Sequence, residues 1–293
     1  MTNYKIKKPV LSVYMPVFNA SLYLSEAIES ILSQTFTNFE FIIIDDASTD
    51  NSWQIIKKYS RLDKRIRAYK NKLNLGVSLT SNIAISLVRS QFLARMDADD
   101  ISFPIRFQKQ INFLRKNKNH VAVGGQCVCV NANNRIIGYK KFPTDSKRLS
   151  EMSFWAIPIQ QPSLMVNLKK MPKKFTWYDR NKSSAEEVNL MFKFLEYGQI
   201  ANLHDFLLYY RQLPTSLSHR NPKLTFYLTL KSRLLALQNG FQPSLKAIIL
   251  NLIQLMGVII LPSSIINSLW NLLRGINQNE NQYQIGTFAS IKV

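Results

Sequence analysis

The sequence predicts an α/β fold in which a mostly parallel β-sheet is flanked by helices. Short apolar runs alternate with helical patterns through the first hundred residues, and several of these runs are apolar on both faces. Strands that are apolar on both faces are typical of parallel sheets covered by helices. The chain has 293 residues, of which 46% are hydrophobic, so it can hold one large domain or one domain with an appendage.

The predicted strands and helices follow one another in a regular order. The first strand covers residues 10–15 and is expected to stop at Pro16, and the first helix covers residues 20–34. Ser48, Thr49 and Asp50 are good capping residues for a second helix through Ile56. The other elements predicted in this half are strands over 39–44, 66–69 and 92–96 and a helix over 77–88.

Polar clusters follow three of the predicted strands. Phe18 and Asn19 come after the first strand, Asp45 and Asp46 end the second, and an acidic cluster begins at Asp97 after the fourth. In open α/β sheets, ligands bind beyond the carboxyl ends of the strands. We therefore expect these three strand ends to border one crevice.

The acidic cluster at Asp97-Ala98-Asp99-Asp100 follows an apolar run without any intervening loop. Residues two apart in an extended backbone point the same way, so Asp97 and Asp99 can converge. Two converging carboxylates suit a hard divalent cation, Mg²⁺ or Mn²⁺, whose free positions take phosphate oxygens. The alternative is a solvated turn with helix-capping aspartates.

The charge and cysteine content narrow the partners and the compartment. A net charge of +20 indicates attraction to an anion: a nucleic acid, an acidic membrane or a phosphorylated substrate. Neither glycine-rich phosphate-binding motif occurs, so a bound nucleotide would depend on a metal and basic side chains. Cys127 and Cys129 lie in a strand-like run and are expected to be buried thiols. With no signal peptide at the N-terminus, we expect a cytoplasmic protein.

The second half is predicted to end in a separate helical region. Ala185, Glu186 and Glu187 open a helix, and a strand over 206–210 ends in Arg211. A boundary near residue 221 gives two units, 1–221 and a basic, apolar, membrane-associating region over 222–293. Residues 247–273 carry no charge, and three interpretations stay open: helices in the membrane interface, a docked soluble appendage, or a membrane span.

Several motifs together resemble the family 2 inverting glycosyltransferases, which have a GT-A fold. The likeness covers residues 9–218, in the order and spacing of that family. The motifs that carry it are Met15-Pro16-Val17-Phe18-Asn19, Ile43-Ile44-Asp45-Asp46-Ala47-Ser48-Thr49-Asp50, Asn74-Leu75-Gly76-Val77, Ala94-Arg95-Met96-Asp97-Ala98-Asp99-Asp100, Pro162-Ser163, Ala185-Glu186-Glu187 and Leu208-Tyr209-Tyr210-Arg211.

The resemblance implies a nucleotide-sugar donor, commonly a UDP-sugar, and transfer with inversion at the anomeric carbon. It implies that Pro16 and Phe18 line the site of the base, with Phe18 stacking on it, and that Asp46 accepts from the base imide. It implies that Asp97 contacts the ribose or the metal and that Asp99 binds Mn²⁺ or Mg²⁺ at the two phosphates. Glu187 would be the catalytic base.

The sequence departs from the family pattern at several positions. Glu187 stands where Asp is usual, Gln161 replaces a His before Pro-Ser, and Leu213 replaces a His after the Tyr-Arg pair. Arg211 or His219 could substitute for that last histidine. The Gln-x-x-Arg-Trp motif of processive synthases is missing, so we expect one sugar per binding event.

The resemblance and the basic, apolar region over 222–293 together predict an enzyme of bacterial envelope biosynthesis, such as lipopolysaccharide assembly. It would act at the inner face of the cytoplasmic membrane, on a glycan or lipid-linked acceptor. Two alternative interpretations of the chain stay open. It could be a nucleotidyltransferase of similar fold, or a non-catalytic basic protein that binds a membrane or nucleic acid. A nucleotidyltransferase would usually carry a phosphate loop near residues 10–20, which this chain lacks. Without metal, the acidic strand ends would repel nucleic acid, which we therefore do not expect as a partner.

Overall fold

The computed structural model describes residues 8–179, 186–213 and 221–273 and confirms the α/β fold. The strands are β1 (Leu11–Val17), β2 (Phe39–Asp45), β3 (Ile66–Lys70), β4 (Phe92–Arg95), β5 (Ile101–Ser102), β6 (His120–Val130), β7 (Ile136–Lys140), β8 (Met165–Asn167) and β9 (Gln199–Arg211). The helices are α1 (Leu24–Leu32), α2 (Ser52–Leu62), α3 (Val77–Ser86), α4 (Arg106–Lys116), α5 (Ser146–Ser153), α6 (Glu186–Leu195), α7 (Pro222–Gln238), α8 (Leu245–Ile260) and α9 (Ser263–Leu273).

All the described strands form one sheet in the order β3-β2-β1-β4-β8-β6-β9-β5, with β7 paired to β6. The strands β3, β2, β1 and β4 are parallel neighbours. The short strand β8 runs antiparallel to both β4 and β6, so β6 and its parallel partner β9 keep the direction of β4. Strands β5 and β7 run the opposite way. The sheet is therefore mostly parallel, and its antiparallel members β5, β7 and β8 all follow β4 in the chain.

Alternate residues of the central strands supply two hydrophobic cores, one on each face of the sheet. In β2, Phe41 and Ile43 pack with α1, α2 and α4 on one face. Ile42 and Ile44 pack with α3 and α6 on the other face. This two-sided burial is what continuous apolar runs predict for strands of a covered parallel sheet.

Strand β1 does not stop at Pro16, as the sequence suggested, but continues to Val17. Along β1, even-numbered residues bond towards β4: the carbonyl oxygen of Tyr14 accepts from the N–H of Met96 at 3.0 Å. The ring nitrogen of Pro16 therefore faces the side on which β4 has already ended. Because no ladder bond is needed there, the missing N–H of proline costs nothing, and the expected stop was wrong.

The three C-terminal helices pack on the sheet domain through α6. A small apolar cluster joins Phe154, Val188 and Phe192 to Ala236 of α7 and Ala247 of α8. Pro222 occupies the first turn of α7. Among the described residues, none of the helices has the length and hydropathy required to cross a bilayer. Cys127 and Cys129 are buried free thiols in β6, as expected.

Candidate active site

The predicted site residues of the first half lie at one edge of the sheet. β1 is the parallel neighbour of both β2 and β4, with Val17 opposite Asp45 and Tyr14 opposite Arg95. The residues that follow β2 and β4 therefore lie about two strand spacings apart, roughly 10 Å. The ends of β1, β2 and β4 thus lie at the same edge of the sheet, and Asp46 and Asp97 lie on opposite sides of β1.

Pro16 and Phe18 form the part of this edge that β1 supplies. Pro16 is half-buried, whereas the Phe18 ring is 51% exposed. The next residue, Asn19, has a φ of 49°, and its backbone N–H donates to the Ser48 hydroxyl at 3.0 Å. The Asn19 side chain in turn accepts from the N–H of Thr49 at 2.9 Å. These bonds connect the turn after β1 to the turn after β2, and the Phe18 ring is exposed at this edge of the sheet.

Asp46 is buried and holds the loop that follows β3. Its carboxylate accepts from Nδ2 of Asn71 at 2.7 Å and from the backbone N–H groups of Leu75 and Gly76 at 2.9 and 2.8 Å. Gly76 has a φ of 81°, a conformation that favours glycine, and begins α3. The sequence linked Asp46 and the Asn74-Leu75-Gly76-Val77 motif only through the family pattern, and the structure shows that they are directly bonded.

In the acidic turn after β4, the Asp97 and Asp99 carboxylates are close enough for their charges to interact. Burial and the charge of Asp97 raise the pKa of Asp99 to about 6. Asp97 is half-buried and forms an ion pair with Nε of Arg95 at 2.8 Å. Asp97 is thus largely balanced by its own cation, whereas the environment of Asp99 disfavours its negative charge.

Arg95 is a buried cation that joins the acidic turn to two tyrosines. Its Nη1 donates to the hydroxyl of Tyr178 at 3.2 Å, and that hydroxyl lies 2.7 Å from the hydroxyl of Tyr14. Gln161 donates to the same Tyr178 oxygen at 3.1 Å. Burial alone would lower the pKa of Arg95, but Asp97, Tyr178 and Tyr14 outweigh it and raise that pKa well above its ordinary value.

Arg211, at the end of β9, holds the acidic turn from the other side. Its backbone N–H donates to Oδ1 of Asp100 at 2.8 Å, and its Nε donates to the carbonyl oxygen of Asp99 at 2.7 Å. The rest of the buried guanidinium bonds to Glu26 at 3.0 Å, to the carbonyl oxygen of Asn131 and to the side chain of Asn134. Arg211 therefore supports the turn, and His219, the other candidate substitute for the missing histidine, lies outside the described residues.

Asp100 is the most deeply buried carboxylate of the turn. Burial, followed by the charges of Asp99 and Asp97, raises its pKa well above the ordinary value. Its Oδ2 has no hydrogen-bond partner in the described part of the chain. The fully buried Arg106 donates to the carbonyl oxygen of Arg95 at 2.9 Å, and burial lowers the pKa of Arg106 to about 10. Two buried arginines, Arg106 and Arg211, therefore flank a turn that concentrates negative charge.

Glu187 lies in the first turn of α6, as expected, and is half-buried. The preceding residues, 180–185, lie outside the described residues, and they include Ala185, the first residue of the predicted motif. Just before that gap, the backbone of Tyr178 exchanges two hydrogen bonds with the side chain of Asn82 on α3, at 2.9 and 3.2 Å. The chain that leads towards α6 is thus fixed at Tyr178, beside the acidic turn.

The oxygen ligands fit a metal that is shared with a diphosphate. Among the described residues, no group of three or more His, Cys, Asp or Glu side chains could enclose a metal ion. Asp97 and Asp99 offer carboxylate oxygens, and Mg²⁺ commonly takes one or two carboxylates and completes its shell with substrate phosphates and water. The raised pKa of Asp99 agrees with this, because a cation would relieve its repulsion by Asp97.

Sequence reasoning missed the residues that organise the acidic turn. Arg95 could have been noticed, because a charged residue inside an apolar strand needs a buried partner. Tyr178 carried no such signal, since its partners Tyr14 and Arg95 are 164 and 83 residues away in the chain.

Comparison with family models gives a match to glycosyl transferase family 2 over residues 12–176, more than half of the chain. Among curated proteins, an uncharacterized glycosyltransferase of Haemophilus influenzae is 32% identical over 211 residues, which cover 69% of this chain and 65% of that protein. The match thus spans slightly less than two thirds of that relative. The putative teichuronic acid biosynthesis glycosyltransferase TuaG of Bacillus subtilis is 27% identical over 206 residues, covering 64% of this chain and 80% of TuaG.

Two solved structures share the fold. S. aureus TarS in complex with UDP superposes with a TM-score of 0.62 at 18% identity, over 83% of this chain and 69% of that chain. The mannosyltransferase PcManGT of Pyrobaculum calidifontis, in complex with GDP-Man and Mn²⁺, gives a TM-score of 0.57 at 14% identity, over 92% of this chain and 86% of that chain. At these identities the structures support the shared GT-A-like fold.

Proposed function

The chain belongs to glycosyl transferase family 2, and from that premise we propose that it transfers one sugar from a UDP-sugar to a glycan hydroxyl with inversion at the anomeric carbon. One observation carries the proposal. Asp97 and Asp99 follow β4 at the edge where β1 and β2 also end, and two buried arginines hold that turn in place. This edge is where α/β sheets bind nucleotides.

The nucleotide would lie across the ends of β1 and β2. Phe18 is an exposed ring just after β1 and suits stacking on a base, and the half-buried Pro16 lies two residues before it within β1. Asp46 already accepts three hydrogen bonds, and a carboxylate has about four lone-pair positions, so one further bond to a base N–H is available. Asp97, fixed by Arg95, would contact the ribose or the metal. The UDP bound to TarS supports this class of donor.

Asp99, assisted by Asp97, would hold Mn²⁺ or Mg²⁺ together with the donor diphosphate. When bound, the metal supplies positive charge that balances the departing nucleoside diphosphate. The protein's own part is to hold Asp99 in place through the bond from Arg211 to its carbonyl oxygen. The Mn²⁺ in the PcManGT complex supports use of a divalent metal.

Glu187 would take the proton from the acceptor hydroxyl as that hydroxyl attacks the sugar. The topology supports this role: α6 leads into β9 through residues 196–198, and Gln199 pairs with His120 at the amino-terminal edge of the sheet. Since α6 packs along the sheet through Leu190, Met191 and Phe194, its first turn points to the opposite edge, where Asp99 lies. Inversion needs a base on the face away from the leaving group.

The acceptor would be a lipid-linked or lipopolysaccharide- or capsule-type glycan of the cell envelope. The naming of TuaG as a teichuronic acid biosynthesis glycosyltransferase supports this class. The absence of the Gln-x-x-Arg-Trp motif from the sequence supports single transfers rather than processive synthesis.

Calorimetry with UDP, in Mn²⁺ or in EDTA, tests the donor site. We expect UDP to bind at least about tenfold more tightly with Mn²⁺. Asp99→Asn should remove that difference, while Asp145→Asn, which keeps the cap of α5, should not. If the unaltered protein binds UDP equally in Mn²⁺ and in EDTA, or if Asp99→Asn keeps the full difference, then Asp99 holds no metal. Tighter binding of GDP than of UDP would exclude a uridine donor.

Transfer assays test the base. Glu187→Gln should lower kcat about a hundredfold or more with unchanged UDP affinity, because general base catalysis contributes on that order. The neighbouring variant Glu186→Gln is the matched control and should retain kcat within a few-fold. Full transfer by Glu187→Ala would exclude Glu187 as the base.

A further inference from the structure

Helix α8 is amphipathic, but its polar side faces the protein and its apolar side faces solvent, the opposite of a usual surface helix. Its protein-facing side carries polar residues: Asn251 is only 5% exposed and donates to the carbonyl oxygen of Phe154 at 2.7 Å. Gln254, one turn later, donates to the carbonyl oxygen of Trp155 at 2.8 Å. Beside them, Ala247 packs in the cluster with Val188 of α6. The polar groups of α8 are therefore used to attach it to the sheet domain.

The opposite side of α8 is apolar and exposed along its whole length. Its exposed large apolar side chains are Leu245, Ile248, Ile249, Leu252, Ile253, Met256, Ile259 and Ile260. The other two C-terminal helices also carry exposed apolar side chains: Leu224, Tyr227 and Leu234 on α7, and Ile265 and Leu269 on α9. A surface helix normally turns its apolar stripe inward, and a contiguous exposed patch of this kind marks an interaction site.

The charge around this surface selects the kind of partner. No acidic residue occurs between Asp205 and Glu280 in the sequence. The lysines of the same helices, Lys223, Lys231 and Lys246, are exposed. A contact between two copies of this chain would not require the exclusion of carboxylates, whereas an anionic lipid surface repels them and attracts lysine. The combination of an apolar face with a purely basic rim therefore favours lipid.

We propose that the outer face of α8 binds an anionic membrane surface and lies in the plane of that membrane. At 16 residues the helix is about 24 Å long, shorter than the roughly 30 Å of a bilayer core. Its polar side is fixed to Phe154 and Trp155, so α8 can insert its outer face to a shallow depth without leaving the protein.

Co-sedimentation of the full chain with vesicles tests the proposal independently of sugar transfer. Vesicles of phosphatidylglycerol and phosphatidylcholine are compared with vesicles of phosphatidylcholine alone. We expect the double variant Ile253→Ser/Ile259→Ser to lower the partition coefficient at least about tenfold, since each lost apolar side chain removes inserted surface. Lys223→Gln/Lys231→Gln/Lys246→Gln should lower it about a hundredfold, and only on phosphatidylglycerol vesicles, at about 1 kcal/mol per lysine.

The matched control removes at least as much exposed apolar surface elsewhere. Leu22→Ser/Leu62→Ser replaces side chains that are 85% and 72% exposed, against 62% and 65% for Ile253 and Ile259, and should bind vesicles like the unaltered protein. Circular dichroism of every variant confirms that each is folded. The proposal is overturned if the unaltered protein does not bind phosphatidylglycerol vesicles, or if both double variants lose binding equally. It is also overturned if the α8 surface instead joins two copies, seen as a dimer in light scattering that Ile253→Ser/Ile259→Ser dissociates.

Discussion

Arg211 donates from Nε to the carbonyl oxygen of Asp99 across 112 residues of sequence, at 2.7 Å. This bond, with the one from the Arg211 backbone to Asp100, fixes the acidic turn against the end of β9. The turn is therefore positioned through the carbonyl oxygen of Asp99 and the carboxylate of Asp100, and neither of these two bonds occupies the Asp99 carboxylate.

Arg211→Lys should loosen the acidic turn, because an ammonium group cannot reproduce the directed bonds of a buried guanidinium. We expect the Mn²⁺ concentration for half-maximal UDP binding to rise about tenfold or more, the range seen when a residue supporting a metal ligand is lost. The exposed Arg115→Lys on α4 is the control and should leave that concentration unchanged. If both variants bind alike, Arg211 does not position Asp99.

Tyr178→Phe should cost more stability than Tyr14→Phe, although each removes one hydroxyl. The Tyr178 hydroxyl is bonded to Arg95, Gln161 and Tyr14, whereas the Tyr14 hydroxyl is bonded to Tyr178. Tyr14→Phe therefore leaves the bonds from Arg95 and Gln161 in place. We expect losses in the free energy of unfolding of about 2–3 kcal/mol for Tyr178→Phe and about 1 kcal/mol for Tyr14→Phe. Urea denaturation measures both, and equal losses would contradict Tyr178 as the centre of this network.

The sheet was predictable because its strands carry a local signal. The runs in β1, β2 and β4 are apolar on both faces, and the polar residues that follow them mark one edge. The three-residue strand β8 has no periodicity to detect, yet it inserts between β4 and β6 and makes the sheet mixed. Only the tertiary structure shows that pairing.

The sequence located the acidic turn but not the residues that support it. The charge of Asp97 acts on Asp99, although Ala98 and Asp99 form a turn and not the extended backbone that the sequence suggested. The partners of the turn, Tyr178 and Arg211, come from distant segments, and no local pattern connects them. Similarly, the uncharged stretch 247–273 does not show by itself which side of α8 faces solvent, and the bond from Asn251 to the carbonyl oxygen of Phe154 fixes that orientation.

Asp46→Asn should destabilise the loop that follows β3. The carboxylate accepts from Asn71, Leu75 and Gly76, and an amide would turn its NH₂ group towards at least one of these donors. We expect a loss of about 2–4 kcal/mol in the free energy of unfolding, from chemical denaturation, because buried donors then lack acceptors. Asp205→Asn, which removes a partly exposed ion pair with Lys109, should cost less than about 1 kcal/mol. A loss as small as that of Asp205→Asn would show that Asp46 is not needed to hold the loop.

Glu40→Gln should make stability less dependent on acid pH. Burial would raise the pKa of Glu40, but bonds from Ser12 at 2.6 Å and from Arg89 and Arg67 at 2.7 and 2.8 Å hold it below the ordinary value. A carboxyl whose pKa is lowered by folding stabilises the protein above its unfolded pKa and loses that effect as pH falls through the folded pKa. At pH 7 we therefore expect Glu40→Gln to be about 2 kcal/mol less stable, since the buried side chain then loses its charge-assisted bonds to the partly exposed Arg67 and Arg89.

The gap between Glu40→Gln and the unaltered protein should then narrow as the pH falls below about 4.5, the ordinary pKa of glutamate. Urea denaturation at pH 7, 5 and 3 measures it, and the exposed Glu196→Gln serves as the control, with almost no difference at any of these values. A gap that stays constant from pH 7 to pH 3 would mean that the cost comes from the altered shape of the side chain. In that case the charge of Glu40 would contribute nothing to the pairing of β2 with Arg67 and Arg89.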